Sequence, residues 1–136
     1  MDLKQIITLA SLIERETRIP KEYGLVSAVY MNRLKDGTPL QCDATIQYLL
    51  PEPKEILNSE DLKIDSPYNT YLYPGLPPGP IGSPGLLSIK GALVPAHVPY
   101  RYYVANGKGG HIFSVTYGQH LHAVDQYQNW LRHRGE

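Results

Sequence analysis

Apolar residues recur at helical spacing from the start of the chain. Leu3, Ile6, Ile7, Ala10 and Ile13 fall on one stripe, and Asp2 stands where it can cap the first turn. The spacing predicts a helix to about Thr17, because Pro20 disfavours helical geometry at Ile19. Leu25, Val26, Val29 and Leu34 predict a second helix over about 21–35, ended by Asp36-Gly37. Residues 38–64 are mixed: Asp43-Ala44-Thr45 can open a short helix through Leu50, which Pro51 and Pro53 stop. From 65 to 82 no period holds. A stretch that long in a small domain is functional or disordered, and its apolar and aromatic content predicts an ordered loop. Ser83-Pro84 supplies an N-cap and a proline at the first helical position for a helix bearing Leu86, Leu87, Ile89, Ala92 and Leu93. Alternation predicts two strands, 100–105 and 111–115, joined by the turn Asn106-Gly107-Lys108-Gly109-Gly110. Thr116 with Gln119 forms a capping-box pattern for a last helix through about His133. The expected fold is α+β: about four helices, a C-terminal β-hairpin and a long, ordered Pro/Gly-rich loop, in one domain over 1–136.

Composition narrows the function classes. Thirteen Lys and Arg balance thirteen Asp and Glu with no basic block. There is then no electrostatic footprint for nucleic acid or an anionic membrane surface, whereas a polymer of little charge stays open as a partner. One cysteine, Cys42, excludes an internal disulfide, and a small buried residue is its simplest role. No apolar run approaches the ~20 residues that cross a bilayer, and the start lacks the marks of a signal peptide. The twelve glycines and twelve prolines crowd between Pro67 and Pro99, shaping loops. Eleven tyrosines offer flat apolar faces with polar tips, suited to sugar rings as well as to packing.

Candidate chemistry begins with Glu14 and Glu16. Two apart on a helix, they point to different faces. Glu14 sits at the edge of the buried stripe, about 100° from Ile13, and a partly buried carboxyl there suits a general acid as well as it suits a surface charge. Glu16, flanked by Arg15 and Arg18, is expected to be solvated. Asp43 and Asp65 flank the irregular region and could face Glu14 across a cleft, although an N-cap and a turn former are the plainer roles. The histidines do not form a metal set: His120 and His122 are two apart and outside any HExxH frame. No metal or cofactor is expected.

Four segments, in order, carry a resemblance: LASLIERET at 9–17, VYMNRLKDGTPLQCDATIQY at 29–48, DSPYNTYLYPGLPPGPIGSPGLLSIKGAL at 65–93 and YRYYVANGKGGHIFSVTYGQHLHAV at 100–124. Together they resemble the YceG-like family of endolytic murein transglycosylases. The resemblance implies cleavage within peptidoglycan strands at the β-1,4 bond from N-acetylmuramic acid to N-acetylglucosamine, leaving 1,6-anhydro ends. It implies that Glu14 is the catalytic acid and later base, with Glu16 in a supporting role or none. It implies a groove drawn from Asn32, Gln41, Asp43, Tyr68, Asn69, Thr70 and His111, although loop shaping is an equal reading for Asn69 and Thr70. Tyr71 and Tyr73 are expected to pack rather than stack on sugar. By the same resemblance, the partners are peptidoglycan strands and possible cell-wall synthesis proteins, with no membrane contact by this domain. The implied location is the extracytoplasmic face of the bacterial plasma membrane, and the family's membrane anchor and LysM-like domain are expected to lie outside this chain. Cys42, Ala44 and Gln119 depart from the usual family pattern, which leaves the details near Asp43 open. The competing readings are a glycan-binding module without activity, a hydrolase using Glu14 with Asp43 or Asp65, and an interaction domain docking through the proline-rich loop.

Overall fold

A computed structural model describes residues 1–134. The chain runs α1 (Leu3–Glu16), a 3₁₀ turn (Pro20–Glu22), α2 (Tyr23–Asp36), α3 (Asp43–Leu49), a second 3₁₀ turn (Asp61–Lys63), α4 (Leu86–Leu93), β1 (Tyr102–Ala105), β2 (His111–Ser114) and α5 (Tyr117–His133). The fold is α+β, as the pattern implies, with the short helix α3 making five.

Local chemistry sets most boundaries. Asp2 and Gln5 form a reciprocal capping box on α1, and Thr116 and Gln119 do the same for α5, each satisfying backbone donors that the first turn leaves free. Gly37 ends α2 at φ 70°, a left-handed position that glycine takes without a Cβ clash. One boundary differs from expectation. The fourth helix starts at Leu86 with Gly85 as its N-cap, two residues past Pro84, and the Gly85 N–H donates to the Glu14 side chain of α1.

Leu9, Leu12 and Ile13 of α1 are fully buried and meet Val26 and Tyr30 of α2, Leu40 and Cys42 before and at the start of α3, and Ala92 of α4. Each such large aliphatic side chain contributes roughly 1.5–3 kcal/mol. The α1–α4 contact is the most extensive between helices, and α2 lies close to α4 as well. A Cβ on Gly91 would stand 3.0 Å from the Tyr23 carbonyl oxygen, so only glycine lets α4 approach α2 this closely.

The irregular segment between α3 and α4 is held by buried polar side chains in place of a period. Asn69 donates to the Leu62 and Ile64 carbonyls and accepts from the Tyr71 and Leu72 N–H groups. Thr70 ties the loop to α3 through the Cys42 N–H and the Thr45 hydroxyl. The Ile81 N–H donates to Ser11 on α1. The antiparallel hairpin pairs Tyr102 with Ser114 and Ala105 with His111, and packs on α5.

Candidate active site

Glu14 lies in the last turn of α1 with its carboxylate against the start of α4. Its Oε1 accepts from the Gly85 N–H at 2.6 Å and from the buried Ser88 hydroxyl at 2.9 Å. No hydrogen bond reaches Oε2 among the described residues, so one oxygen is held and the other is free. The unfavourable C-terminal field of its own helix is thus answered by N-terminal donors from another. Glu14 faces an open depression of about 340 Å³ lined also by Arg15, Glu16, Thr17, Arg18 and Gly109.

Glu16 is not the solvated residue its arginine neighbours suggest. It turns inward, touching that depression on one side and on the other a cavity of about 280 Å³ bounded by Gln41, Asp43, Tyr71, Tyr103 and His120. Burial raises its carboxyl above the ordinary range, only partly countered by the Cys42 thiol and the Tyr103 hydroxyl. A helical signal existed: Glu16 is three residues after Ile13 and four after Leu12, hence on the buried stripe.

The other expected site residues divide. Gln41 and Asp43 both line the Glu16 cavity. Gln41 is exposed and adopts φ 52°, a left-handed conformation that strains a residue with a Cβ and is common at functional sites. Asp43 accepts a hydrogen bond from the Tyr71 hydroxyl, and Asp65 accepts one from Tyr73. Neither aspartate lines the Glu14 depression. Asn69 and Thr70 are corrected: at 0% and 1% exposure, with their polar atoms spent on the loop, they shape it and cannot touch a ligand. Asn32 is half-buried, and its amide nitrogen donates to the Val98 and Tyr100 carbonyls, fastening the chain that leads into β1. Tyr68 packs on Tyr48 and beside Gly79, and lines neither cavity.

His111 opens β2 but faces Glu22 instead of a groove. Its N–H and its ring Nδ1 reach the Glu22 carboxylate at 2.9 and 2.8 Å, and Thr17 donates to the same carboxylate at 2.9 Å. Burial alone would raise the Glu22 carboxyl, but these hydrogen bonds outweigh it and hold it below the usual range. The pair clamps the hairpin, and with it Gly109, over the end of α1. Pattern alone could not reveal it, because its members lie 89 residues apart. Among the described residues no three His, Cys, Asp or Glu side chains gather as a metal site.

Comparison with known proteins agrees with the arrangement of segments. Residues 1–126 match the model of the YceG-like family. The chain is 39% identical over 127 residues to a Bacillus subtilis protein named endolytic murein transglycosylase, covering 93% of this chain and 35% of that one. It is 33% identical over 118 residues to a Streptococcus pneumoniae protein of the same name, covering 83% of this chain and 21% of that one. It therefore spans about a third or less of these relatives. A crystal structure of a YceG-like protein from Listeria monocytogenes superposes with a TM-score of 0.85 at 40% identity, over 90% of this chain and 40% of that one. With the family model matched along nearly all of its length and the fold shared, the chain belongs to the YceG-like family.

Proposed function

We propose that this domain cleaves peptidoglycan strands as an endolytic lytic transglycosylase, with Glu14 as its one proton-transfer group. The observation that carries this reading is the asymmetric hold on Glu14, which lines the depression with one oxygen bound to α4 and the other without a partner among the described residues. A protonated Oε2 donates to the glycosidic oxygen while the bond to C1 of the muramic acid residue breaks. The Gly85 N–H and Ser88 hydroxyl then stabilise the carboxylate left behind. That carboxylate takes the proton from the C6 hydroxyl of the same muramic acid as its oxygen attacks C1. Glu14 is thereby reprotonated and a 1,6-anhydro end results.

The two-carboxylate schemes need a base or nucleophile that this site lacks in free form. Asp43 and Asp65 are bonded to tyrosines outside the depression, and burial favours the neutral form of Glu16. An intramolecular nucleophile removes the need, provided the sugar ring is held in a reactive shape. Gln41 and Asp43, which line the cavity beside Glu16, do part of that holding in this reading. The name shared by the relatives, endolytic murein transglycosylase, supports the same substrate. Such a reaction belongs at the extracytoplasmic face of the plasma membrane, where the polymer lies and where cell-wall synthesis proteins are available as partners.

Mass spectrometry of purified peptidoglycan digested by the domain tests the reading. Anhydro-ended fragments are expected. Reducing ends would overturn it in favour of hydrolysis with Glu16, the other carboxyl in the depression, as the second group. Gly85→Ala supplies a further check. Its φ of −82° and ψ of 177° suit alanine, but the new Cβ would stand 3.0 Å from Glu14 Oε1. Displacing the carboxyl by a few tenths of an ångström is expected to lower kcat about tenfold, with the melting temperature nearly unchanged.

A further inference from the structure

Two guanidinium groups stand unpaired in the Glu14 depression. Arg15 and Arg18 both line it and both are exposed. Neither makes an ion pair or a hydrogen bond among the described residues. The other polar groups of the lining are engaged. The Thr17 hydroxyl donates to Glu22, Glu16 Oε1 accepts from the Cys42 thiol, and Glu14 Oε1 is bound to α4.

The path of the chain keeps the arginines free. Glu14, Glu16 and Glu22 all fall within four residues of Arg18. In a continuing helix Glu14 and Arg18 would share a face, in the favourable order for an ion pair. α1 ends at Glu16, however, and Thr17 is extended at φ −148° and ψ 155°, which carries Arg18 off that face. Glu22 is taken by His111 and Thr17. Arg15, in the last turn of α1, complements the carbonyl end of the helix. Arg18, beyond that end, has no such duty.

The charge of the whole chain is balanced, so this is a local excess. With Glu14 protonated for the proposed reaction, the depression holds two cations against at most one anion, Glu16. That suits a negatively charged ligand. The sugar rings of the glycan are neutral. The negative charge of a peptidoglycan strand comes from carboxylates of the peptide stem, or from the lactyl carboxylate where the stem has been removed. Both hang from C3 of muramic acid, two ring bonds from the C1 that reacts at Glu14. A strand seated for cleavage must therefore lead this substituent out past the same depression. Gly109 bounds it from the hairpin side without a side chain, and nothing stands within 4 Å of where a Cβ would be. The way out between the arginines and the hairpin turn is open. Exposed guanidiniums on long side chains suit the outer carboxylates of the stem better than the lactyl group at its root.

We propose that Arg15 and Arg18 are specificity residues that pair with carboxylates of the peptide stem on the muramic acid bound at Glu14, so that the domain selects strands still carrying acidic stems. A planar guanidinium takes a carboxylate through two parallel hydrogen bonds, which fixes direction as well as charge. This role rests on the proposed use of Glu14 and adds the charged part of the substrate to it.

Three soluble substrates separate the sources of charge: strands with free stem carboxylates, the same strands with those carboxylates amidated, and strands stripped of their stems. Wild type is expected to show a kcat/KM about five- to tenfold higher on the first than on the second. The difference is expected mostly in KM, because the pairing exists before bond cleavage as well as during it. Stripped strands are expected to fare no better than amidated ones. Were they cleaved as well as the first, the lactyl carboxylate would be the ligand and stem recognition would be overturned. In the double variant Arg15→Gln, Arg18→Gln the ratio between free and amidated strands is expected to fall to about one. A merely structural role would lower both rates together and leave the ratio standing, which would overturn the proposal. Added salt is expected to shrink the wild-type ratio, since exposed charges are screened.

Binding decides the matter without turnover. Disaccharide–peptide fragments, which have no bond left to cut, are titrated into the intact domain and followed by NMR. Fragments with free carboxylates are expected to bind about fivefold tighter than amidated ones and to shift the side-chain Nε signals of Arg15 and Arg18. Equal affinities would overturn the proposal. If wild type cleaves none of the strands, the reading of Glu14 fails, while this comparison still decides the arginines.

Discussion

Glu14→Gln is expected to lower peptidoglycan cleavage by about 10²- to 10⁴-fold while leaving the fold intact, the range associated with losing a positioned proton-transfer group. The amide keeps an oxygen to accept from the Gly85 N–H and the Ser88 hydroxyl, so the anchor on α4 survives. What it loses is the acidic hydrogen at the open position, and with it the base that forms in the next step. kcat and kcat/KM are expected to fall together, because the lost interaction exists only as the bond breaks. Unfolding free energy is expected to stay within about 0.5 kcal/mol of wild type, as for a partly exposed substitution that breaks no buried network. Thermal melting and initial rates on the same preparation check both halves. A variant that retains wild-type rates would remove Glu14 from the reaction.

The second large effect is on stability. Glu22→Ala deletes a carboxylate that is 4% exposed and receives Thr17, the His111 N–H and the His111 ring. Its loss leaves the Thr17 hydroxyl, the His111 N–H and the His111 ring without their acceptor, and at about 1–3 kcal/mol for each buried polar group left unpaired the sum is expected to be about 3–5 kcal/mol, a large share of the roughly 5–15 kcal/mol that holds a domain folded. The melting temperature is expected to drop by about 10–20 °C. The pH dependence has a definite sign. The folded-state value of Glu22 is depressed, so the unfolded chain binds its proton more readily. The stabilisation is fully present above the ordinary glutamate value and is lost as pH falls through the folded one. Chemical denaturation across acidic pH is therefore expected to show a shallower decline for Glu22→Gln than for wild type. An equal decline would mean that other carboxylates account for the acid lability.

What could be read from the chain and what could not divides by distance. The Asp2 cap, the Thr116/Gln119 capping box, the stop at Gly37 and the hairpin turn each depend on neighbours within a few residues, and all are found where the pattern places them. The motif makes Glu14 a candidate, but nothing near Gly85 or Ser88 announces that they bond to a residue more than 70 positions earlier. The start of α4 lies two residues past the local signal of Ser83-Pro84, at a point where Gly85 bonds across to α1. Asn69 and Thr70 show a different difficulty. In an aperiodic loop a polar side chain carries no indication of facing inward or outward, and these two satisfy backbone groups that a ladder would satisfy in a helix or strand. Glu16 was misjudged by charge, since two flanking arginines outweighed a position three residues from Ile13.

The span between Glu14 and its holders also sets a time. A chain leaving the ribosome at about 5–20 residues per second presents the glutamate about 4–15 s before residues 85–88 exist to receive it. Until then α1 can form its turns, but its carboxyl has no fixed direction and no donors. The nascent polypeptide thus carries an untethered acid, and the tool is assembled only once the two helices dock.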